Sequence, residues 1–305
     1  MTLLIALLLD ACFGEPKQIW DRIPHPAVLM GRLIDRADRR FNAGQARKLK
    51  GVALIAALCL AAYLLGRFIV WLPDFGSLEI LLAAILLAHR SLMDHVKAVA
   101  DALRISTKGG REKVALIVGR DTTDMDASDI SRAAIESAAE NFSDGVVAPA
   151  FWFLVLGLPG ILIYKIVNTA DSMIGYMTPR HRAFGWAAAR LDDVMNWIPA
   201  RLTGAMICLI SRKPEAWSTM ARDAQYHRSP NAGWPEAAMA AALQIALSGP
   251  RSYHGARTQD PYVNADGRKT LTAHDIDASI SILWKAWGLL LALTLVFAIL
   301  SALFQ

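Results

Sequence analysis

Two long apolar stretches stand out along the chain and predict membrane-spanning helices. Gly51–Leu72 covers about 22 residues with Arg67 as its single charged side chain, and Leu283–Phe304 opens with Trp284 and Trp287. About 20 apolar residues let a helix cross a hydrocarbon core of about 30 Å, and tryptophans concentrate at the membrane–water interface. The pattern therefore predicts two spans.

Further membrane segments are expected at about 78–93, 146–164, 195–211 and 237–248. The segment 146–164 contains Gly157, Pro159 and Gly160 in its middle, and glycine and proline disfavour a continuous helix. A re-entrant helical hairpin, about 11 residues down and about 15 back, fits the apolar lengths as well as a full crossing does.

The composition agrees with a membrane protein. Hydrophobic residues make up 54% of the 305 and charged residues 19%, with a mean hydropathy of +0.33; soluble domains carry about 25% charged residues. This excludes a disordered chain and disfavours an ordinary cytosolic enzyme. The three isolated cysteines support neither a disulfide framework nor a CxxC metal site.

The distribution of charge indicates orientation. The net charge is +5, but no basic stripe with interleaved aromatics occurs, so we expect no nucleic acid partner. Basic residues crowd the segment 17–50, which the positive-inside rule places in the cytoplasm. The expected fold is all-α: a polytopic integral membrane protein with cytoplasmic loops and amphipathic helices, one of them at 127–141.

The first candidate for chemistry is the polar turn 119–123, which contains Arg120, Asp121 and Thr122. A guanidinium, a carboxylate and hydroxyls at a turn can hold a phosphate and a metal, although a plain polar turn explains them more simply. The helix predicted next places Arg132, Glu136 and Glu140 four residues apart, which spacing alone would assign to an exposed ladder. The chain continues from Glu140 directly into the apolar hairpin, so the Glu140 carboxylate is expected at the membrane boundary.

Two Asp/Asn-rich motifs flank an apolar stretch and suggest a magnesium site. The first contains Lys165, Asn168 and Asp171, and the second contains Arg190, Asp192, Asp193 and Asn196. Carboxylates at membrane depth cost roughly 2.5–3.5 kcal/mol on insertion scales and usually carry function. Mg²⁺ usually takes one or two carboxylates together with substrate phosphates. The alternative is that Asp171 only pairs with Lys165 or another neighbour.

A polar loop forms the fourth candidate. His227, Arg228, Ser229, Asn231 and Glu236 surround a rigid turn made by a proline and a glycine. A bare loop would not need so many groups able to bind a phosphate or an amide. Neither a P-loop nor a GxGxxG motif occurs, so any nucleotide must be bound in another way.

With these motifs the chain resembles the adenosylcobinamide-phosphate synthase family, the CbiB/CobD-type membrane proteins of cobalamin biosynthesis. The resemblance covers nearly the whole chain and suggests a single membrane domain over residues 1–305. It is carried by Gly14-Glu15-Pro16, Pro24-His25-Pro26, Gly119-Arg120-Asp121-Thr122, Ser143-Asp144-Gly145, Val167-Asn168-Thr169, Gly185-Trp186-Ala187, Arg190-Leu191-Asp192-Asp193, Asn196-Trp197-Ile198-Pro199 and Ser229-Pro230-Asn231-Ala232-Gly233-Trp234-Pro235-Glu236.

The resemblance implies an ATP-dependent ligase that joins (R)-1-amino-2-propanol or its O-phosphate to the free propionate of adenosylcobyric acid. It implies ATP and Mg²⁺ as cofactors, a corrinoid as substrate, and association with other late corrinoid enzymes. The expected metal ligands are Glu140, Asp171, Asp192 and Asp193; the phosphate contacts are Arg120, Lys165, Arg190 and Arg228; and the amine's proton goes to His227 or Glu236. Asp121, Thr122, Asn168, Asn196, Ser229 and Asn231 complete the expected substrate-binding set.

The resemblance also places the protein in the cytoplasmic membrane with its active site on the cytoplasmic side. That side favours the hairpin, because a full crossing at 146–164 would put residues 168–196 outside. Two alternatives stay open: an intramembrane Mg²⁺-dependent prenyltransferase, suggested by Asn168-x-x-Asp171 and Asp192-Asp193-x-x-Asn196, and a non-catalytic corrinoid-binding membrane protein. The choice between aminopropanol and its phosphate also stays open.

Overall fold

The protein is built from helices joined by short loops. The computed structural model describes residues 1–253, 256–258 and 260–303. The helices are α1 (Thr2–Phe13), α2 (Lys17–Trp20), α3 (Pro26–Phe41), α4 (Arg47–Trp71), α5 (Ser77–Leu86), α6 (His89–Ile105), α7 (Thr107–Val114), α8 (Ala127–Phe142), α9 (Ala148–Ile174), α10 (Trp186–Ser211), α11 (Pro214–Asp223), α12 (Gly233–Leu243) and α13 (Ala273–Leu303). A π-helical turn at Ser143–Val147 joins α8 to α9, and a 3₁₀ turn at Ala224–Tyr226 follows α11.

The short strands form two antiparallel ribbons. The strand β1 (Leu247–Ser248) pairs with β4 (Tyr262–Val263), and β2 (Arg251–Tyr253) pairs with β3 (Ala256–Thr258). The registers place Leu247 opposite Val263 and Ser248 opposite Tyr262. The ribbons follow the loop after α12, and the rest of the described secondary structure is helical.

Four helical stretches among the described residues are long and apolar enough to cross a membrane. They are Arg47–Trp71, Ala127–Ile174, Trp186–Ser211 and Ala273–Leu303. The apolar segments predicted at 51–72 and 283–304 therefore form helices long enough to span, α4 ending at Trp71; Phe304 lies outside the described residues. Most apolar side chains of α4 and α13 face outward, as expected of helices that contact lipid. The all-α membrane fold is confirmed.

The apolar segment after α8 turns back on itself at Gly157. This residue has φ 66° and ψ −153°, inside a stretch that is otherwise helical. The hydroxyl of Tyr164 lies 3.0 Å from the carbonyl oxygen of Asp144, whereas 20 residues of straight helix would separate them by about 30 Å. A Cβ on Gly160 would lie only 2.2 Å from the carbonyl oxygen of Trp152 on the descending arm. The helical hairpin is therefore confirmed over a straight crossing.

The predictions for two other membrane segments are wrong, because neither segment is a single helix. The segment 78–93 is not one helix, because α5 ends at Leu86 and α6 begins at His89; between them the amide of Ala88 donates to the carbonyl of Gly145 at 3.1 Å. The segment 237–248 contains the end of α12 at Leu243 and then β1, so its helix is too short to cross. The segment 195–211 is helical and belongs to α10.

The chain forms two compact units, and each is discontinuous in sequence. Unit 1 consists of Met1–Arg90 and Asp144–Asn196, and unit 2 of Ser91–Ser143 and Trp197–Gln305. A single domain over residues 1–305 stays a prediction.

In unit 1, two glycines of α4 lie very close to the backbone of other segments. Gly66 of α4 lies so close to the hairpin that a Cβ there would be 2.7 Å from the Cα of Pro159. Gly51 lies against the carbonyl oxygen of Phe184, which a Cβ would approach to 1.9 Å. Small residues at helix contacts are the usual means of tight packing in membranes, where burial from water supplies little driving force.

Unit 2 is built around α8. The helix predicted at 127–141 is confirmed as α8, but every residue from Ile130 to Ala139 is buried, so this stretch has no exposed polar face. The Arg132 guanidinium is buried with it and donates to the carbonyls of Ala246 (3.3 Å) and Lys269 (2.6 Å). Alanines of α12 pack in the same core. A buried α8 carries its polar residues into the interior, where they line a cavity.

Candidate functional site

A small polar cavity lies in unit 2, between α8, the turn that follows Ile117 and the loop leading into α12. Its volume is about 200 Å³. Its polar walls are formed mainly by Arg120, Glu136, Glu140, Asn141, His227 and Glu236. Four of these six, Arg120, Glu140, His227 and Glu236, are among the site residues predicted from the sequence, so the structure brings together the first and the fourth candidates.

Arg120 is held on one side of the cavity by Glu136. Its Nη2 donates to Oε2 of Glu136 at 3.0 Å, and Oε1 of Glu136 accepts the amide of Ser248 at 2.6 Å. The Arg120 side chain is about nine-tenths buried, and its Nε has no hydrogen-bond partner among the described residues. A buried donor without a partner is costly unless a ligand supplies an acceptor.

The opposite polar feature is the pair formed by His227 and Glu236. Nε2 of His227 lies 3.5 Å from Oε1 of Glu236, and Glu236 is almost fully buried in the first turn of α12. Nδ1 of His227 accepts the amide of Ser229 at 3.0 Å. Because Nδ1 acts as an acceptor, the proton of the neutral imidazole resides on Nε2 and faces Glu236. In this pair the imidazole is therefore the donor and the carboxylate of Glu236 the acceptor.

Local hydrogen bonds fix the part of the cavity wall that is formed by α8 and the turn that follows Ile117. The Ser137 hydroxyl donates to the carbonyl of Ile117 at 2.6 Å, which joins α8 to the turn that carries Arg120. The amide of Asn141 donates back to the carbonyl of Ser137 at 2.9 Å. These bonds hold Arg120 and Glu140 on a rigid helix and a braced turn, which preorganises the cavity.

A second polar group lies in unit 1, where the two Asp/Asn-rich motifs meet. Oδ1 of Asp192 accepts from Asn168 at 3.1 Å, and Oδ2 accepts from Asn196 at 3.0 Å. The Tyr164 hydroxyl lies 2.9 Å from Oδ1 of Asn196. The meeting of these motifs agrees with the sequence prediction, and both oxygens of Asp192 have amide donors.

Other predicted residues of unit 1 lie around this network. The charge of Lys165 interacts with Asp10, Glu15 and Asp144, and it makes no hydrogen bond to any described residue. The carboxylate of Asp171 lies against Gly175, where a Cβ would come within 1.9 Å of Oδ1.

The last two predicted charges of unit 1 face each other. Nη1 of Arg190 lies 3.4 Å from Oδ2 of Asp193, one helical turn away on the outer side of α10. A half-exposed pair of this kind adds little stability.

Several predicted residues make local structure in unit 2. Oδ1 of Asp121 accepts from the amide and hydroxyl of Thr123, which is the plain polar turn. The hydroxyl of Ser229 accepts from the amides of Asn231 and Ala232 at 3.2 and 3.3 Å. Thr122, Arg228 and Asn231 are also outside the cavity lining.

Arg228 and Asn231 each have a partner elsewhere in the loop region of unit 2. Nη2 of Arg228 donates to Asp260 at 3.2 Å, and Oδ1 of Asn231 lies 3.4 Å from Nη1 of Arg201.

No group of three or more His, Cys, Asp or Glu side chains with metal-binding geometry occurs in the described part of the chain. Of the four predicted metal ligands, Glu140 belongs to unit 2 and Asp171, Asp192 and Asp193 belong to unit 1. Mg²⁺ whose coordination is completed by substrate phosphates needs only one or two carboxylates from the protein.

Sequence reasoning did not assign Glu136 and Asn141 to the site. Their spacing from Glu140 is visible in the sequence, but the pattern indicates an exposed ladder unless the burial of α8 is known. The burial of α8 depends on long-range contacts such as that between Glu136 and Ser248, which no local pattern reveals.

Comparisons with known proteins identify a single family. The family profile described as "CobD/Cbib protein" matches residues 3–283. A "Cobalamin biosynthesis protein CobD" of Brucella anthropi is 48% identical over 95% of this chain and 94% of its own. Proteins of the same name from Sinorhizobium fredii (47% identity; 94% of this chain and 93% of its own) and Rhodobacter capsulatus (47%; 86% of each) are similar. No solved structure matches the chain. This chain belongs to the CobD/CbiB family of cobalamin biosynthesis proteins.

Proposed function

We propose that the protein is a ligase that forms an amide bond, at the expense of ATP, between the free propionate of adenosylcobyric acid and (R)-1-amino-2-propanol or its O-phosphate. Family membership supports a role in cobalamin biosynthesis and a corrinoid substrate. The observation that carries the reaction type is the cavity of unit 2, because its size and polar groups match the small amine.

The size of the cavity favours the amine, the smallest of the proposed substrates, as its occupant. Pockets for drug-sized ligands measure roughly 300–1,000 Å³, and this one measures about 200 Å³. A corrin ring or a nucleotide does not fit inside it, whereas a three-carbon amine with one oxygen or one phosphate does. The propionate arm would meet the amine at the mouth of the cavity.

The charges of the cavity orient an amino alcohol. Glu136 is paired with Arg120, and the carboxylate of Glu236, which also lines the cavity, would attract an ammonium group. The unpartnered Nε of Arg120 needs an acceptor, which a hydroxyl or an ester oxygen of the same molecule supplies. A ligand with a cationic nitrogen and an acceptor oxygen a few bonds apart satisfies both sides.

The reaction requires an activated carboxylate and a neutral amine. The propionate oxygen attacks the γ-phosphorus of ATP, which releases ADP and gives an acyl phosphate. The amine nitrogen then attacks the acyl carbon, the C–O bond to phosphate breaks, and phosphate leaves. The bound ammonium gives its first proton to Glu236 and so becomes the nucleophile; the second proton, lost as the C–N bond forms, leaves with the departing phosphate. His227 lies beside Glu236, with its Nε2 3.5 Å from Oε1. General bases of this kind contribute about 10²–10⁴-fold in rate.

Mg²⁺, when bound, would neutralise charge on the transferring phosphoryl group. We assign Glu140 as its first protein ligand, since it lines the cavity, with Asp171, Asp192 and Asp193 as the other candidates. Asp192 is the least available of these, because both of its oxygens accept amide hydrogens.

We further propose that the protein is a multi-pass protein of the cytoplasmic membrane with its site facing the cytoplasm. Its substrates are cytoplasmic, and the hairpin at Gly157 lets the chain return to the side from which it entered. Arg120 contacts phosphate or hydroxyl oxygen of the amine, and Lys165, Arg190 and Arg228 are candidates for the nucleotide.

Growth rescue tests the proposal. Deletion of the gene should abolish growth that requires cobalamin, and supplied cobinamide should restore it while cobyric acid should not, because the two compounds differ only by the aminopropanol arm. Rescue by cobyric acid would overturn the proposal. A prenyltransferase would give rescue by neither corrinoid, and a non-catalytic corrinoid-binding protein would not distinguish between them.

Matched variants link this test to the cavity. Complementation with Glu236→Gln should fail, whereas Glu215→Gln, an exposed glutamate of α11, should complement fully. Equal complementation by both variants would show that Glu236 of the cavity is not required for the reaction.

A further inference from the structure

The amphipathic helix α3 packs one face against the rest of unit 1, and the side chains of its other face are exposed. Its inner face buries Ile34, Ala37 and Asp38. The carboxylate of Asp38 binds the Arg180 guanidinium at 2.5 Å, and His25 caps the helix by accepting the amide of Ala27 at 3.1 Å. The helix is therefore held in one orientation, and its outer face is fixed with it.

The outer face carries large apolar side chains in its N-terminal half. Val28, Leu29 and Leu33 are 47%, 50% and 49% exposed, and Ile19 and Ile23 just before the helix are exposed to a similar degree. Clustered exposure of this kind marks a surface that meets another molecule or a membrane.

The C-terminal half of the same face is basic. Arg32, Arg36 and Arg40 are exposed, and none of them forms an ion pair with a described residue. Only Arg39 is paired, with Asp35 at 3.0 Å. The segment 17–50 contains nine basic and three acidic residues, so its net charge is +6.

The face also lies near a membrane span. The loop 42–46 joins α3 to α4, and five residues cannot reach further than roughly 20 Å. Nζ of Lys50, in the first turn of α4, donates to the carbonyl of Ala43 at 2.9 Å, which ties this loop to the start of the span. A partner of α3 must therefore fit beside the surface of a bilayer.

We propose that the outer face of α3 binds the surface of a bilayer that contains anionic phospholipid. Val28, Leu29 and Leu33 enter the boundary between headgroups and acyl chains, and Arg32, Arg36 and Arg40 contact the lipid phosphates. Arginine stems lie along apolar surface while their guanidinium groups reach phosphate oxygens, which explains why both residue types share one face. An acidic protein partner would satisfy the arginines but would not need apolar side chains next to a span.

The test uses the full chain with its native cysteines replaced and an environment-sensitive dye on Leu33→Cys, reconstituted in nanodiscs. In discs of phosphatidylcholine with phosphatidylglycerol, the dye emission should shift to the blue and be quenched by lipids carrying a shallow nitroxide. The triple variant Arg32→Gln, Arg36→Gln, Arg40→Gln should need roughly tenfold more phosphatidylglycerol for the same shift, since each basic residue adds attraction to an anionic surface. Raised salt should weaken the response of the unaltered helix.

A charge-matched control removes three exposed lysines from α6 and α7, as Lys97→Gln, Lys108→Gln, Lys113→Gln, and should leave the response unchanged. A dye at position 33 that stays in water in every lipid mixture would overturn the proposal and favour a protein partner. A blue shift independent of phosphatidylglycerol and of the arginines would overturn the phosphate contacts.

Discussion

In the proposed reaction, the choice of Glu236 as proton acceptor rests on one backbone hydrogen bond. Because Ser229 donates to Nδ1 of His227, the imidazole presents a proton to Glu236 and cannot accept one at Nε2 while neutral. The sequence left His227 and Glu236 as equal candidates, since it shows which residues share a loop but not which nitrogen faces which oxygen.

Substitutions at the two positions should therefore differ in effect. Glu236→Gln keeps the shape and removes the base, so the rate of amide formation should fall by about 10²–10⁴. His227→Asn keeps an acceptor for the Ser229 amide and should lower the rate by only about tenfold, through looser placement of Glu236. Measured ligation rates of the purified variants decide this, and a larger loss for His227→Asn would make His227 the base.

Asp10 is a buried residue of α1, and the protonation of its carboxyl group should make the stability of the protein depend on pH. Burial raises the pKa of Asp10 to about 7, although the backbone amides of His89 and Arg90 act in the opposite direction; Glu15 adds to the increase, and Lys165 reduces it. The unfolded chain should titrate near 3.9. At a pH between these two pKa values, Asp10 has lost its proton in the unfolded chain and retains it in the folded chain. The contribution of Asp10 to the free energy of unfolding therefore falls as pH rises and is level above about pH 7.

Replacement of this carboxyl should remove that pH dependence. Relative to the unaltered protein, Asp10→Asn should show no stability gain at pH 4 and a gain of up to about 4 kcal/mol at pH 8. Thermal unfolding in detergent at a series of pH values measures the difference. The exposed Asp21→Asn serves as control, and a gain for Asp10→Asn that is the same at both pH values would contradict the titration.

At the scale of elements, the sequence predicts a feature well when the feature is local. The break in the apolar segment 146–164 is visible because Gly157, Pro159 and Gly160 disfavour helix themselves. The break between α5 and α6 is invisible, because no proline or glycine marks it and the amide of Ala88 is bonded to Gly145, which is far away in sequence. The burial of α8 is hidden for the same reason: its partners come from the loop after α12.

The hairpin should depend on the absence of a side chain at Gly157. Its φ of 66° and ψ of −153° belong to a region that only glycine adopts readily, so Gly157→Ala should cost roughly 1–3 kcal/mol. Gly288, inside α13, has open space around it, and Gly288→Ala should stabilise by about 0.5–1 kcal/mol. Thermal midpoints of the two variants should therefore move in opposite directions; a rise in both would mean that the turn tolerates a Cβ.

At the scale of the whole molecule, the predicted site residues divide between the two units. Arg120, Glu140, His227 and Glu236 line the cavity of unit 2, while Asn168, Asp192 and Asn196 form the network of unit 1. The sequence predicted all seven of these residues but not their division between the units, because local patterns do not show which distant segments of the chain fold together. If the proposed ligation takes place, this division predicts that its two chemical steps depend on different groups.

Activation of the propionate needs ATP and the corrinoid, whereas capture of the amine needs the cavity. The two steps can be separated with ATP labelled in its β–γ bridging oxygen, because reversible transfer of the γ-phosphoryl group lets that label move to a non-bridging position. With corrinoid present and amine absent, Glu236→Gln should scramble the label at the unaltered rate, while its amide formation falls by about 10²–10⁴. Glu215→Gln should leave both rates unchanged. Equal loss of scrambling and amide formation in Glu236→Gln would show that this carboxylate serves activation as well, and the cavity would then hold more than the amine.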